Sequence, residues 1–169
     1  MMFEAMEFAR EAHKDQRRKY TNNPYTDHLA EVAGIVATVA YKYEYMQEAV
    51  IATAWLHDCI EDQDVSVSTL VHEFGEQVMS AVLQLSDLAA GNRTERKAAS
   101  RTRLSGAWSW VQSIKVADLI SNTSSIVQHD PKFAVTYLEE KRMLLDVLTK
   151  ADPRLISIAR QQLRAAAVG

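Results

Sequence analysis

Cysteine is nearly absent from this chain: Cys59 is the single one among 169 residues. No intrachain disulfide can form, and such usage fits a reducing compartment. Proline and glycine are scarce too, at three and five, which leaves few places where a helix must break. Neither sign of charge dominates. The formal net charge is -3, too mild to argue for a nucleic-acid partner. The opening stretch, "MMFEAMEFAREAHKDQRRKY", has no long apolar run after its first charges. Neither a signal peptide nor a membrane span is expected, and a cytoplasmic protein is the default.

What the chain does have is apolar content at helical spacing. Hydrophobic residues make up 47% of it, an ordinary value for a globular protein. The length suits one domain, 1–169, around one sizeable core. No alternating strand pattern appears, so the fold class is all-α. The first helix is expected from about Phe3 to Lys14, with Phe3, Met6, Phe8, Ala9 and Ala12 inward. "RRKYTNNPYTD" reads as a polar loop with turn chemistry at Asn22, Asn23 and Pro24. A second helix runs from about His28 to Tyr43, and a third from about Gln47 to Asp62. Ser66 or Ser68 caps a fourth, which continues through Leu85.

The polar, basic segment between Gly91 and Gly106 reads as a loop with a short exposed helix. A long helix is then expected from about Ala107 to Gln128. Asp130-Pro131 and Asp152-Pro153 each pair an N-cap with proline in the first turn. They open two last helices, to about Lys150 and Ala166.

One run stands out chemically. "WLHDCIED", Trp55 to Asp62, sets His, Asp, Glu and Asp directly after the apolar "AVIATAWL". Charges beside a buried stripe are costly unless paired or metal-bound. On a regular helix His57 and Glu61 share a face, and Asp58 and Asp62 share the adjacent one. A divalent cation there takes His57 and Asp58 as ligands and leaves Glu61 and Asp62 to handle protons. His28, in "PYTDHLAEVA", and Asp118, in "IKVADLISN", offer a further imidazole and carboxylate. Two imidazoles and two carboxylates suit Mn²⁺, Fe²⁺ or Zn²⁺ better than Ca²⁺ or Mg²⁺, which prefer oxygen-only sites. Such an ion lowers the pKa of a bound water towards ~7. Cys59, Trp55, Trp108 and Trp110 read as packing residues, and His13, His72 and His129 as ordinary surface or core histidines.

The ordered phrases "AHKDQRRKYTNNPYTDH", "AWLHDCIEDQDVS", "EFGEQV" and "IKVADLISN" span roughly Phe8 to Val127. Together they resemble the HD-domain phosphohydrolases, and within them the (p)ppGpp hydrolases of the Rel/SpoT stringent-response enzymes and the stand-alone small alarmone hydrolases. The resemblance implies an HD-domain helical bundle that hydrolyses the 3′-pyrophosphate of (p)ppGpp. It implies Mn²⁺ on His28, His57, Asp58 and Asp118, with Glu61 and Asp62 activating the attacking water. It implies substrate contacts at Arg18, Lys19 and Asn122, at Arg93, and at Lys141 in "YLEEKRMLL". Two positions depart from the family pattern. Leu29 follows His28 where proline is usual, and Leu119 stands where the family carries Arg or Lys. The loop between Arg18 and His28 also differs in length. The lost charge at 119 motivates a second substrate reading, another phosphate ester such as NADPH. A third reading is a non-catalytic nucleotide-binding module, and the Glu61-Asp62 pair argues against it.

Overall fold

The computed structural model describes residues 1–168, and among these every regular element is helical. The only strand-like feature there is an isolated bridge between Arg17 and Pro24. Among the described residues no helix is long and apolar enough to cross a membrane. The chain divides into two compact units, Met1–Leu88 and Ala89–Gly169.

The first unit begins with α1 (Met2–Ala12) and α2 (Tyr25–Ala40). Between them the polar loop is closed by its own backbone: Arg18 N–H donates to Asn23, Asn22 N–H to Arg18, and Tyr25 N–H to Gln16. Asn22 takes φ 57°, a left-handed conformation that asparagine tolerates. Helix α2 starts three residues before the expected His28. Pro24 sits at its N-cap with extended backbone, and Asp27 places a carboxylate in the first turn, where the helix dipole favours it.

A 3₁₀ segment, Tyr41–Met46, follows α2, with Glu44 at φ 44° and ψ -115°. Helix α3 (Gln47–Leu56) is then buried at Ala49, Val50 and every position from Ala52 to Leu56. A helix apolar on all sides belongs at the centre of a core. Accordingly α1, α2 and α5 (Val67–Leu85) pack around it. Ser66 is the cap of α5, accepting the Thr69 N–H, and Gly75 kinks that helix with φ 85°.

The single helix expected from Gln47 to Asp62 is corrected. Helix α3 stops at Leu56, and a separate short helix, α4 (Cys59–Gln63), resumes after Asp58 at φ -102° and ψ 1°. No glycine or proline marks the break. The two side chains at the break bond outside a regular helix pattern: His57 Nδ1 lies 2.7 Å from the Ala54 carbonyl, and the Tyr25 hydroxyl donates to Asp58.

The second unit holds α6 (Arg93–Ser105), α7 (Ser109–His129), α8 (Pro131–Val147) and α9 (Pro153–Val168). Helix α6 is a full 13-residue helix rather than a short one. Its capping box explains the length: Asn92 accepts the Glu95 N–H while Glu95 returns a bond to the Asn92 N–H. Helix α7 is central here, contacted by α8 and α9. Its buried polar groups are matched. Gln112 Nε2 donates to the Leu104 carbonyl, its Oε1 accepts the Lys150 N–H, and Ser113 Oγ accepts the Asp152 N–H. Asp130 caps α8 through the Phe133 N–H, and Asp152 accepts the Arg154 N–H.

Candidate functional site

The α3–α4 break turns two side chains towards the start of α2. His28, in the first turns of α2, and His57 are each almost wholly buried. Their rings lie 5.5 Å apart between centroids at 66°. Nε2 of His57 is 3.0 Å from Asp58 Oδ2, and Nε2 of His28 is 3.8 Å from the same oxygen. Donor atoms of His28, His57 and Asp58 all fall within 4.8 Å of one another. Neither Nε2 makes a contact of hydrogen-bond geometry with that carboxylate.

The tautomer of His57 follows from its other nitrogen. A backbone carbonyl only accepts, so Nδ1, 2.7 Å from the Ala54 oxygen, carries the proton. Nε2 faces the Asp58 carboxylate at 3.0 Å. An imidazole anchored through Nδ1–H with Nε2 facing a carboxylate is the arrangement of a metal-ligating histidine. Two nitrogens and a carboxylate oxygen form a donor set suited to a divalent transition ion. The Tyr25 hydroxyl donates to Asp58 Oδ2 at 2.6 Å. This phenol was not singled out in the sequence; it sits 33 positions from its partner.

The two further carboxylates of the motif lie on α4. Glu61 Oε2 accepts the Asp87 N–H at 2.8 Å. Asp62 reaches the surface, yet partial burial first, and the nearby Asp58 charge second, raise its carboxyl above the ordinary range. Bonds from Gln16 and Tyr25 and the nearby His13 pull the other way. Gln16 Nε2 donates to Asp62 Oδ2 at 3.0 Å, across 46 positions of sequence.

The basic residues of the first unit lie on the polar loop. Arg18 is mostly buried, with one guanidinium nitrogen 3.7 Å from Glu31. Lys19 is exposed, its ammonium 5.3 Å from the Tyr20 ring centroid.

In the second unit, Asp118 is buried on α7. Lys115 Nζ donates to its Oδ2 and Asn122 Nδ2 to its Oδ1, both at 2.8 Å. Leu119 is buried, so the cation that accompanies Asp118 is Lys115, one turn earlier on the helix. Arg93 forks onto Glu140 at 2.6 and 2.8 Å and lies over the Phe133 ring. Lys141 is fully buried, donating to Thr123 Oγ1 and Gln162 Oε1 at 2.7 Å each. Burial pushes its ammonium down to about 8.

Residues 5–117 match the HD domain family. The chain belongs to that family. The matched part of this HD domain takes in His28, His57, Asp58, Glu61 and Asp62 and ends one residue before Asp118.

Three relatives are informative. The chain is 32% identical over 131 residues to a Synechocystis protein named a probable guanosine-3′,5′-bis(diphosphate) 3′-pyrophosphohydrolase, covering 74% of this chain but 16% of that one. It is 29% identical over 129 residues to the guanosine-3′,5′-bis(diphosphate) 3′-pyrophosphohydrolase MESH1 of Drosophila melanogaster, covering 76% and 70%. Human MESH1 is likewise 29% identical over 132 residues, covering 78% and 72%. A solved structure described as a metazoan ortholog of SpoT that hydrolyses ppGpp superimposes with a TM-score of 0.88 at 24% identity, over 99% of this chain and 96% of that one. At that identity the fold is what is shared.

Proposed function

We propose that this HD domain is a metal-dependent phosphohydrolase that cleaves the 3′-pyrophosphate of (p)ppGpp, giving GDP or GTP and pyrophosphate. One observation carries the reading: three donor atoms from His28, His57 and Asp58 converge, with the His57 tautomer set for ligation. The names of the Synechocystis, Drosophila and human relatives support the substrate class.

His28, His57 and Asp58 hold the ion, and Asp118 is the fourth ligand on the strength of its motif. Mn²⁺ is the ion expected there; when bound it supplies Lewis-acid stabilisation of the phosphate charge and a more acidic attacking water. Water adds to phosphorus as the bond from phosphorus to the 3′-oxygen breaks. Glu61 and Asp62 take the proton that the water gives up, and a proton is returned to the 3′-oxygen. Arg18 and Lys19 bind the phosphates, with Arg93 and Asn122 as further contacts to the nucleotide; Lys141 joins them only by leaving its buried partners Thr123 and Gln162. Arg93 must exchange Glu140 for phosphate to do so. Residues 1–169 act as a single hydrolase domain in a cytoplasmic setting, which the lone buried thiol of Cys59 suits.

Leu119 favours a second substrate, since no positive charge stands at that position. A panel of ppGpp, pppGpp, NADPH and simple nucleotides, incubated with Mn²⁺-loaded protein, decides between them. Pyrophosphate released from ppGpp supports the first reading. Phosphate released from NADPH, with ppGpp untouched, supports the second.

A further inference from the structure

Gln16 is fixed more firmly than a loop residue needs to be. Its N–H donates to the His13 carbonyl and its own carbonyl accepts the Tyr25 N–H. Its side chain meets three others: Nε2 donates to Asp62 Oδ2 at 3.0 Å, while Oε1 lies 2.6 Å from both Gln63 Nε2 and His13 Nδ1.

The polarity of this chain of contacts is determined link by link. A carboxylate only accepts, so the amide nitrogen of Gln16 must face Asp62. Its oxygen therefore faces His13, and His13 Nδ1 must carry the proton. Nε2 of His13 lies 3.7 Å from the buried Cys59 thiol. His13 is itself 1% exposed, out of reach of solvent that could reorient it. The Gln16 amide is therefore oriented from both ends, by Asp62 on its nitrogen and by His13 and Gln63 on its oxygen. Reversing the Gln16 amide would set oxygen against carboxylate at one end and NH₂ against an N–H at the other.

We infer that Gln16 is a positioning residue for Asp62, held in its donating orientation by His13 and Gln63. The inference rests on the role given to Asp62 above. An Asp62 carboxylate with one oxygen committed to Gln16 keeps its other oxygen aimed for proton transfer in one rotamer. Without the Gln16 donor the carboxylate keeps only its bond from Tyr25 and samples more rotamers, and the proton-transfer step slows while substrate and ion bind as before.

The test is a double-mutant cycle on the full chain with Gln16→Met, Asp62→Asn and the pair, read as kcat and KM for ppGpp and as Mn²⁺ affinity. Gln16→Met keeps the shape but has no donor. We expect kcat to fall about 10- to 100-fold in Gln16→Met with KM and Mn²⁺ affinity unchanged, and the double variant to match Asp62→Asn alone. Losses that multiply in the double variant, or a change confined to KM or Mn²⁺ affinity, overturn the inference. A substrate-free readout accompanies the cycle: the Gln16 side-chain amide resonances in ¹⁵N-labelled protein. They are expected to shift when Asp62 becomes Asn in otherwise unaltered protein, and no shift at all overturns the Gln16–Asp62 link. Wild-type protein that releases no pyrophosphate defeats the substrate reading alone, and the amide resonances then judge the positioning contact by themselves.

Discussion

Oδ2 of Asp58 lies 3.0 Å from Nε2 of His57, whose opposite nitrogen faces the Ala54 carbonyl at 2.7 Å. With Nδ1 on that carbonyl, Nε2 and a carboxylate oxygen meet in a buried setting. A divalent cation between them would take both as ligands. The two histidines and Asp58 should therefore bind a divalent ion in the native fold and not in the unfolded chain. An ion at about a hundredfold its Kd adds ~2.7 kcal/mol of stability, so adding EDTA to Mn²⁺-loaded protein should lower the Tm. In His57→Ala, calorimetric titration should show Mn²⁺ affinity reduced more than 100-fold and a Tm that EDTA no longer moves. Equal Mn²⁺ affinity in both proteins would sink the assignment.

Tyr25 tests how far the site depends on neighbours that are not ligands. Its hydroxyl donates to Asp58 at 2.6 Å, and its ring packs beside both His13 and His28. Tyr25→Phe removes the hydroxyl and keeps the ring. Loss of such a supporting bond typically costs 10- to 100-fold in metal affinity. Mn²⁺ titration of Tyr25→Phe should show about that loss, while urea unfolding without metal changes by about 1 kcal/mol. Unchanged affinity would mean that the phenol only fills space.

Two glycines in helices should respond oppositely to alanine. A Cβ built on Gly75 meets nothing within 4 Å, yet its backbone stands at φ 85° and ψ 167°. That region is open to glycine almost alone, so Gly75→Ala should destabilise by about 1–3 kcal/mol with no clash involved. Gly34 is also open within 4 Å, but it lies inside α2 with no positive φ. Gly34→Ala should stabilise by about 0.5–1 kcal/mol. Urea midpoints of the two variants, moving in opposite directions, are the measurement. A Gly75→Ala midpoint that does not fall would show that the α5 kink is not held by the glycine backbone.

The helical class was legible because so few residues could interrupt a helix, and because Asp130-Pro131 and Asp152-Pro153 mark two starts openly. The break at His57–Asp58 was not. Neither residue breaks helices by itself, and the contacts made there, such as Tyr25 to Asp58, span 33 positions. Helix α6 is a different case. "NRTE" carries its capping box in plain view, but the basic composition that follows reads as loop. In the site, His28, His57 and Asp58 were legible as residue types in motif order, and the fold brings their donor atoms together. Gln16 and Tyr25 were not, since a glutamine and a tyrosine in a polar loop carry no mark of the carboxylates they meet.

Lys141 gives a prediction about pH. Its ammonium is buried on two neutral acceptors, Thr123 Oγ1 and Gln162 Oε1, and burial lowers it from 10.5 to about 8. Between those values the unfolded chain holds the proton and the folded chain does not, so folding stability gains from rising pH across that window. Below pH ~8 both states are protonated, and the full cost of burying the charge, on the order of 3 kcal/mol, is present. Lys141→Met removes the ionisable group and keeps most of the volume. Stability of wild type relative to Lys141→Met, from urea unfolding, should be flat from pH 6 to about 7.5 and then rise towards pH 10. The comparison cancels titrating groups that have no contact with Lys141. A flat difference throughout would show that the folded protein holds Lys141 at its ordinary pKa, with water reaching the ammonium.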